Sequence, residues 1–204
     1  IANFLNCASN EIVFTKGTTE SINLVAHSLG DSLFKKGDEI IISEMEHHSN
    51  IVPWQLLSEK KQLILKYIPI SIRGSLEIKK LSNLITDKTK LISITHMSNL
   101  LGLVNPIEDI ISIAKKNNIL TLIDAAQSIS HLTIDVKKID CDFLVFSGHK
   151  MLGPTGVGIL IGKTELFNAM PPFMGGGEMI HTVSMTRSTW NEVPWKFEAG
   201  TPNI

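Results

Sequence analysis

The sequence contains only two cysteines, Cys7 and Cys141, and they form no CxxC pair. Disulfide frameworks and zinc ribbons need several cysteines at short spacings, so neither is expected. No stretch approaches about 18 uninterrupted apolar residues, which excludes an obvious membrane span. Lysine and arginine (19) nearly balance aspartate and glutamate (20), which leaves no excess of positive charge for a nucleic-acid-binding face. We therefore expect a protein of a reducing, cytoplasmic compartment that binds neither membrane nor nucleic acid.

What the sequence does contain is a regular alternation of apolar, β-branched runs with segments of helical spacing. Most runs are continuously apolar, which is typical of strands buried on both faces. The predicted strands are Glu11–Thr15, Glu39–Ser43, Gln62–Ile68, Lys90–Thr95, Ile119–Asp124, Asp142–Ser147 and Gly156–Gly162. The predicted helices are Thr19–Leu29, Asn50–Lys60, Ser75–Leu84, Pro106–Asn117 and Thr164–Ala169. This order predicts an α/β fold with a mainly parallel seven-stranded sheet and helices on both faces.

The regular alternation fades from about Met170 into a Pro- and Gly-rich stretch and then a polar segment with Trp190 and Trp195. Long irregular segments more often line sites or contact other subunits than serve as filler loops. We therefore predict that residues 170–204 form an irregular segment that lines the site and contacts a second subunit.

Ligands of open parallel sheets collect at the carboxyl ends of the strands, so the residues that follow each strand are the candidate site. Lys16-Gly17-Thr18-Thr19-Glu20 follows the first strand and opens a helix. Backbone N–H groups and the positive end of the helix dipole suit a phosphate at this place. On this motif alone, ordinary helix capping by Thr18 or Thr19 is the commoner explanation.

Two further polar groups follow the second and fourth strands. His47 and His48 are adjacent and cannot share one face of a strand, so they form a poor chelating pair and no metal site is predicted. We expect one imidazole to face the site, with two ordinary loop histidines as the alternative. Asn99 offers a donor and an acceptor at the same sheet edge, although alone it would be interpreted as a turn residue.

Two ionisable residues complete the pattern. Asp124 ends a strongly apolar strand, where burying a carboxylate costs free energy unless a positive group partners it. No Lys or Arg is near in sequence, so a cationic ligand atom is an attractive partner. Helix capping is the alternative role. Lys150 follows the sixth strand in Ser147-Gly148-His149-Lys150, and a desolvated lysine can form a Schiff base with an aldehyde. A lone loop lysine, by contrast, is usually just solvated.

Taken together, these positions offer a phosphate cradle, a ring to stack, a carboxylate for a ring nitrogen, an amide and an aldehyde-binding lysine. Those are the groups that pyridoxal 5′-phosphate (PLP) requires. The joint pattern therefore predicts a PLP cofactor, although each part alone is weak.

The same residues resemble the class V aminotransferase superfamily and, within it, the SufS-like (group II) cysteine desulfurases, which are close relatives of selenocysteine lyases. The resemblance covers nearly the whole chain. It is carried by Phe14–Glu20, Glu44–Trp54, Ser98-Asn99, Asp124 with Gln127, Ser147–Lys150, Gly153–Gly156, Gly175–Gly177 and Phe197–Asn203. It implies the large domain of a fold type I PLP enzyme.

The resemblance also implies a role for each matching residue. Lys150 is similar to the Schiff-base lysine and His47 to the imidazole stacked over the cofactor ring, both of them catalytic. Asp124 corresponds to the partner of the pyridine nitrogen, and Gln127 to a contact of the phenolic oxygen. The implied phosphate ligands are Thr18, Thr19, Ser147 and His149, joined by Thr201 from the neighbouring subunit of a homodimer. Asn99 is expected to contact substrate or cofactor.

The implied reaction removes sulfur from L-cysteine to give L-alanine and an enzyme persulfide, which passes to a sulfur-acceptor protein for iron–sulfur cluster assembly. By the resemblance, we expect the nucleophilic cysteine and the carboxylate-binding arginine to lie in a C-terminal region that this chain lacks, and we expect an N-terminal segment to be missing too. We therefore expect an inactive fragment in which Cys7 and Cys141 are structural. The alternatives are a selenocysteine lyase acting on L-selenocysteine, another class V member such as a kynureninase or a small-amino-acid aminotransferase, and an inactive homologue that only binds partners.

Overall fold

A seven-stranded sheet forms the centre of the chain in the computed structural model, which describes residues 1–202. The strands are β1 (Ile12–Thr15), β2 (Glu39–Ser43), β3 (Ile64–Ile68), β4 (Thr89–Thr95), β5 (Leu120–Asp124), β6 (Phe143–Ser147) and β7 (Gly158–Gly162). Their spatial order is β1-β7-β6-β5-β4-β2-β3. The pairs from β6 to β3 are parallel, whereas β7 runs antiparallel to both β1 and β6. The predicted mainly parallel seven-stranded sheet is confirmed.

Helices cover both faces of this sheet, as predicted. They are α1 (Ala2–Leu5), α2 (Thr18–Leu33), α3 (Val52–Lys61), α4 (Leu81–Leu84), α5 (Ile107–Lys116), α6 (Val136–Ile139) and α7 (Thr164–Ala169). One face packs against α2, α3 and α7, and the other against α1, α4, α5 and α6. The sequence of β2 is continuously apolar because Ile40 and Ile42 pack in the core on the α2 face of the sheet, whereas Ile41 packs in the core on the α5 face. No α-helix among residues 1–202 combines the length and apolarity that crossing a bilayer requires.

Two segments differ from the predictions. The predicted helix Ser75–Leu84 is α-helical only at α4, because Leu76 forms a β-bridge with Ile70 and draws residues 70–76 into a turn. The tail contains an antiparallel hairpin of β8 (Ile180–Val183) and β9 (Ser188–Trp190), so it is less irregular than predicted. The Phe197–Asn203 motif ends outside the described residues at Asn203.

The segment before Thr201 is anchored to the sheet and to α7. The Phe197 ring is buried in the core between the sheet and helices α2, α3 and α7. The buried Lys196 donates to the carbonyl oxygens of Met170 at 2.8 Å and Asn168 at 3.3 Å. Glu198 accepts a 2.8 Å hydrogen bond from the backbone N–H of Phe14 on the edge strand β1. These contacts fix the point from which Gly200 and Thr201 extend.

Candidate active site

A cavity of about 280 Å³ lies at the carboxyl ends of β4, β5 and β6, next to the first turn of α2. The predicted site residues that line it are Thr18, Thr19, His47, Asn99, Asp124, Gln127, Ser147, His149 and Lys150. Thr201 is not among the lining residues and is exposed in the single chain. The fold thus brings together side chains that come from five separate strand ends, while their individual roles stay predictions.

The cavity wall also includes residues that the sequence analysis did not select, namely Ser49, Thr95, Met97 and Ala126. Ser49, Met97 and Ala126 lie within two residues of a selected position, and Thr95 is the last residue of a predicted strand, so the strand-end rule that found the others would have found them too. No group of three or more His, Cys, Asp and Glu side chains in the described part of the chain is arranged to hold a metal ion.

The hydroxyl groups of Thr18 and Ser147 meet at the amino end of α2. The N–H of Thr18 donates to Ser147 Oγ at 2.8 Å, and the two hydroxyl oxygens are also 2.8 Å apart. Gly17 occupies the N-cap position and Thr18 and Thr19 are the first helical residues, so the capping interpretation of these threonines is wrong. The first N–H groups of a helix lack intrahelical acceptors, and together with these hydroxyls they suit a bound phosphate.

This cradle depends on the absence of a side chain at Gly158. Gly158 pairs with Thr15 of β1 on one side and with Ser147 of β6 on the other. A Cβ atom at position 158 would lie 2.3 Å from the Cα atom of Gly17. Glycine therefore allows the backbone before α2 to approach β7 closely enough for Thr18 to reach Ser147.

The imidazole of His47 is oriented by Ser49. The N–H of Ser49 donates to Nδ1 at 3.2 Å, and the Ser49 hydroxyl lies 2.9 Å from the same atom. Because Nδ1 accepts, the neutral ring carries its proton on Nε2. Burial lowers the pKa of His47, and the positive charges of Lys150 and His48 lower it further, so the neutral ring is favoured. His48 does not line the cavity.

Asp124 is a buried carboxylate with few partners. It is 3% exposed and accepts one hydrogen bond, at 2.9 Å from the N–H of Ala126. Among residues 1–202, no Lys, Arg or His nitrogen lies within 4.0 Å of it. Burial raises its pKa from 3.8 to about 6, against the opposing effects of the Ala126 N–H and the Lys150 charge. A cationic ligand atom in the cavity would supply the missing partner.

Lys150 faces the same cavity from the 3₁₀ turn Gly148–Met151 that follows β6. Within the described part of the chain, its ammonium makes no ion pair or hydrogen bond. The amine is therefore available to a ligand. A lysine, a carboxylate and a hydroxyl-lined helix terminus around one cavity fit an aldehyde, a ring nitrogen and a phosphate, respectively.

Comparison with known proteins agrees with this arrangement. The whole chain, residues 1–204, matches the family model described as "Aminotransferase class-V". The chain belongs to the aminotransferase class-V family. The predicted family membership is thereby confirmed.

Similar proteins of this family include several cysteine desulfurases. The chain is 56% identical over 207 residues to the cysteine desulfurase of Wigglesworthia glossinidia brevipalpis, covering 100% of this chain and 50% of that protein. The cysteine desulfurase CsdA of Escherichia coli superposes with a TM-score of 0.96 at 41% identity, covering 99% of this chain and 51% of CsdA. A variant of C-DES, with glycine covalently linked to its PLP cofactor, has a TM-score of 0.89 at 25% identity over 98% and 54% of the two chains. The chain spans about half the length of the curated relatives that it matches.

Gly158→Ala tests the close approach of β7 to the backbone before α2. The added methyl group would overlap the backbone of Gly17, so we expect the free energy of unfolding to fall by about 1–3 kcal/mol in urea titrations. Gly175→Ala is the control, since a Cβ at that position meets no atom within 4 Å. An equal effect of the two substitutions would show that the approach is not a steric constraint.

Asp124→Asn tests the cost of the buried carboxylate. The raised pKa means that the cofactor-free folded state binds more protons than the unfolded state between about pH 4 and 6, so wild-type stability falls as the pH rises through this window. We expect the substitution to stabilise the cofactor-free protein by about 3 kcal/mol above pH 7 and to have little effect below pH 4. The measurement is urea unfolding at several pH values.

The exposed Asp87 provides the matched control, because Asp87→Asn removes a carboxylate that folding leaves in water. We expect this variant to follow the wild-type pH dependence. A stability gain for Asp124→Asn that is the same at all pH values would contradict the assignment of the cost to the ionised carboxylate.

Proposed function

We propose that the full-length protein to which this chain belongs is a PLP-dependent cysteine desulfurase that converts L-cysteine into L-alanine and an enzyme persulfide. The observation that carries the proposal is the convergence of Asp124, Lys150 and the Thr18–Ser147 hydroxyls on one cavity. The 56% identical relative named cysteine desulfurase supports the choice of reaction over a kynureninase or a small-amino-acid aminotransferase.

The residues of the cavity fit the cofactor in the following way. We assign Asp124 to the pyridine nitrogen, because its buried carboxylate lacks a cation within ion-pair distance among the described residues. The residues assigned to the phosphate are Thr18, Thr19, Ser147 and His149, together with Thr201 of a second copy in a homodimer. Gln127 is assigned to the phenolic oxygen and His47 to the face of the ring. When bound, PLP supplies an aldehyde that bonds to amines and a ring that withdraws electrons.

Two residues of the chain then act on the substrate. Lys150 Nζ anchors the cofactor and, once released, accepts a proton from the substrate Cα and returns protons to the product. The ring of His47, neutral and protonated at Nε2, covers the reacting centre and presents an N–H donor on that side. Asn99, exposed at the cavity rim, is assigned to substrate or cofactor binding.

The sulfur-accepting nucleophile is assigned to a part of the protein outside this chain. Burial raises the pKa of Cys141 to about 12 and also raises the pKa of Cys7, and neither residue lines the cavity. A thiol of this kind stays protonated and unreactive at neutral pH. The only two arginines, Arg73 and Arg187, do not line the cavity either, so the substrate carboxylate is assigned an arginine from outside the chain.

We further propose that a sulfur-acceptor protein takes the persulfide sulfur for iron–sulfur cluster assembly in the cytoplasm. Both cysteines of the chain are free, which agrees with a reducing compartment. Selenocysteine lyase is the second candidate, because its motifs are shared and the cavity residues do not separate sulfur from selenium. Retention of Lys150, Asp124, His47 and Gln127 counts against an inactive homologue that only binds partners.

Lys150→Ala in the full-length protein tests the covalent anchor. With PLP bound, we expect the wild type to absorb visible light and to release alanine and sulfide from L-cysteine in the presence of a thiol reductant. The variant loses the visible band and at least about a hundredfold in rate, because the amine both binds the cofactor and moves protons. Lys116→Ala, at an exposed position, is the control that keeps both properties.

A visible band retained by Lys150→Ala would refute the covalent role of this residue. The same wild-type preparation is assayed for sulfide release from L-cysteine and for selenide release from L-selenocysteine under identical conditions. The comparison of the two rates identifies the substrate. A much larger rate with L-selenocysteine would replace the proposed desulfurase with a lyase.

A further inference from the structure

A second buried carboxyl group lies directly behind the cavity and has no role in the function proposed above. Glu46 follows β2, immediately precedes His47 and is 7% exposed. Its two oxygens accept hydrogen bonds from the backbone N–H of Thr95 at 3.0 and 2.9 Å. Asn50 Nδ2 donates to Oε2 at 2.6 Å, and the Ser43 hydroxyl contacts Oε1. One side chain therefore joins the ends of β2 and β4 to the turn at residues 47–50.

The network continues through Asn50, which is fully buried. Its Oδ1 atom accepts from Ser93 Oγ at 2.6 Å and from Trp54 Nε1 at 2.9 Å. Its backbone N–H donates to the carbonyl oxygen of His47 at 2.7 Å. The amide oxygen and the backbone N–H of Asn50 thus both have hydrogen-bond partners. These bonds hold the turn that carries His47 against β4 and α3.

The same network reaches the strand that carries Asp124. Thr95, whose N–H binds Glu46, lies opposite Asp124 in the register of β4 and β5 and lines the cavity. The next residue, His96, donates its N–H to the carbonyl oxygen of Asp124 at 2.8 Å. Glu46 therefore contacts the backbone next to Asp124 as well as the turn next to His47.

A carboxyl group suits this position better than an amide. Donors converge on both of its oxygens, from the Thr95 backbone, the Asn50 amide and the Ser43 hydroxyl. A glutamine at position 46 would place its NH₂ group against one of these donors. In the place of Oε2 it would force the Asn50 amide to rotate and to give up its bonds from Ser93 and Trp54, and in either place it would face the Thr95 N–H.

We propose that Glu46 is a positioning residue that holds the His47 ring and the Asp124 carboxylate in the geometry that binds the cofactor. This inference rests on the proposed function for the identity of the ligand. The orientation of His47, however, can be measured in the unloaded protein.

Glu46→Gln in the full-length protein is the first test, with Glu39→Gln as the matched control. Glu39 lies at the opposite end of β2, is 5% exposed, and accepts from Thr86 and Thr89 while pairing with Lys66. Both substitutions remove a buried, hydrogen-bonded carboxylate, one at the start of β2 and one three residues after its end. Any general loss of stability is therefore shared, whereas an effect on the cavity is expected only from Glu46→Gln.

Two quantities are measured for each variant. The first is the ¹⁵N spectrum of the His47 ring without cofactor, assigned by comparison with a His47→Gln variant. The second is the apparent dissociation constant for added PLP. We expect Glu46→Gln to convert the single Nε2–H signal into a mixture of tautomers and to weaken PLP binding about tenfold, which corresponds to one or two lost hydrogen bonds. Glu39→Gln leaves the signal unchanged and the dissociation constant within about twofold.

The double variant Glu46→Gln with Asn50→Asp is designed to restore the hydrogen bonds that Glu46→Gln removes. It also tests the inference if the single variant does not fold. The new amide at position 46 can donate to the new carboxylate at position 50, which can still accept from Ser93 and Trp54. We expect the wild-type His47 signal and PLP binding within about threefold of wild type. A folded double variant with a mixed His47 signal overturns the inference, as do unchanged His47 signals and PLP binding in Glu46→Gln.

Failure of the proposed function is distinguishable from failure of this inference. If the wild type binds no PLP, the cofactor assignment is wrong. The His47 spectra of the three variants then still decide whether Glu46 orients that ring.

Discussion

The burial of a carboxylate without a cationic partner is the constraint on which the site depends. Asp124 lies at the end of a central strand, where, among residues 1–202, only the N–H of Ala126 hydrogen-bonds to its carboxylate. Removing such a group from water costs free energy that the described residues offset only in part, through that N–H and the field of Lys150. A ligand that brings a positive atom to this carboxylate is therefore bound more strongly than its shape alone would dictate, and it stabilises the fold that binds it.

The sheet topology explains why the other groups assemble around this carboxylate. Strands β4, β5 and β6 are adjacent and parallel, so their last residues lie at the same edge of the sheet. These residues are Thr95, Asp124 and Ser147. Because β7 is antiparallel to both of its neighbours, β1 runs in the same direction as β6 and delivers the amino end of α2 to that edge. The antiparallel β7 thus places the carboxyl end of β1 at the same edge of the sheet as the carboxyl ends of β4, β5 and β6. Gly158 lets the backbone before α2 approach β7 closely.

The parts of this arrangement that the sequence could predict are those that local pattern determines. Continuous apolar runs identify strands buried on both faces, and the polar residues that follow them identify the site edge. The sequence pattern shows that the side chains of His47 and His48 point in different directions. Which of the two rings faces the cavity depends on the hydrogen bond from the Ser49 N–H to His47 Nδ1. The segment 75–84 has apolar residues at helical spacing, yet Leu76 is taken by the bridge to Ile70, which is a tertiary contact. The hydrogen-bonding role of Glu46 cannot be predicted from local pattern, because its Thr95 donor lies 49 residues away in sequence.

The two buried carboxyl groups differ in what surrounds them, and this difference separates their roles. Burial raises the pKa of Glu46 to about 7, and the negative charge of Asp124 raises it while neutral donors lower it. Among the described residues Asp124 accepts one hydrogen bond, burial raises its pKa to about 6, and the positive charge of Lys150 opposes that rise. The charges of the two carboxyl groups also interact, so their proton affinities are coupled. Donors hold both oxygens of Glu46, which makes that group a hydrogen-bonded support behind the cavity, whereas Asp124 lines the cavity, where a ligand can meet it.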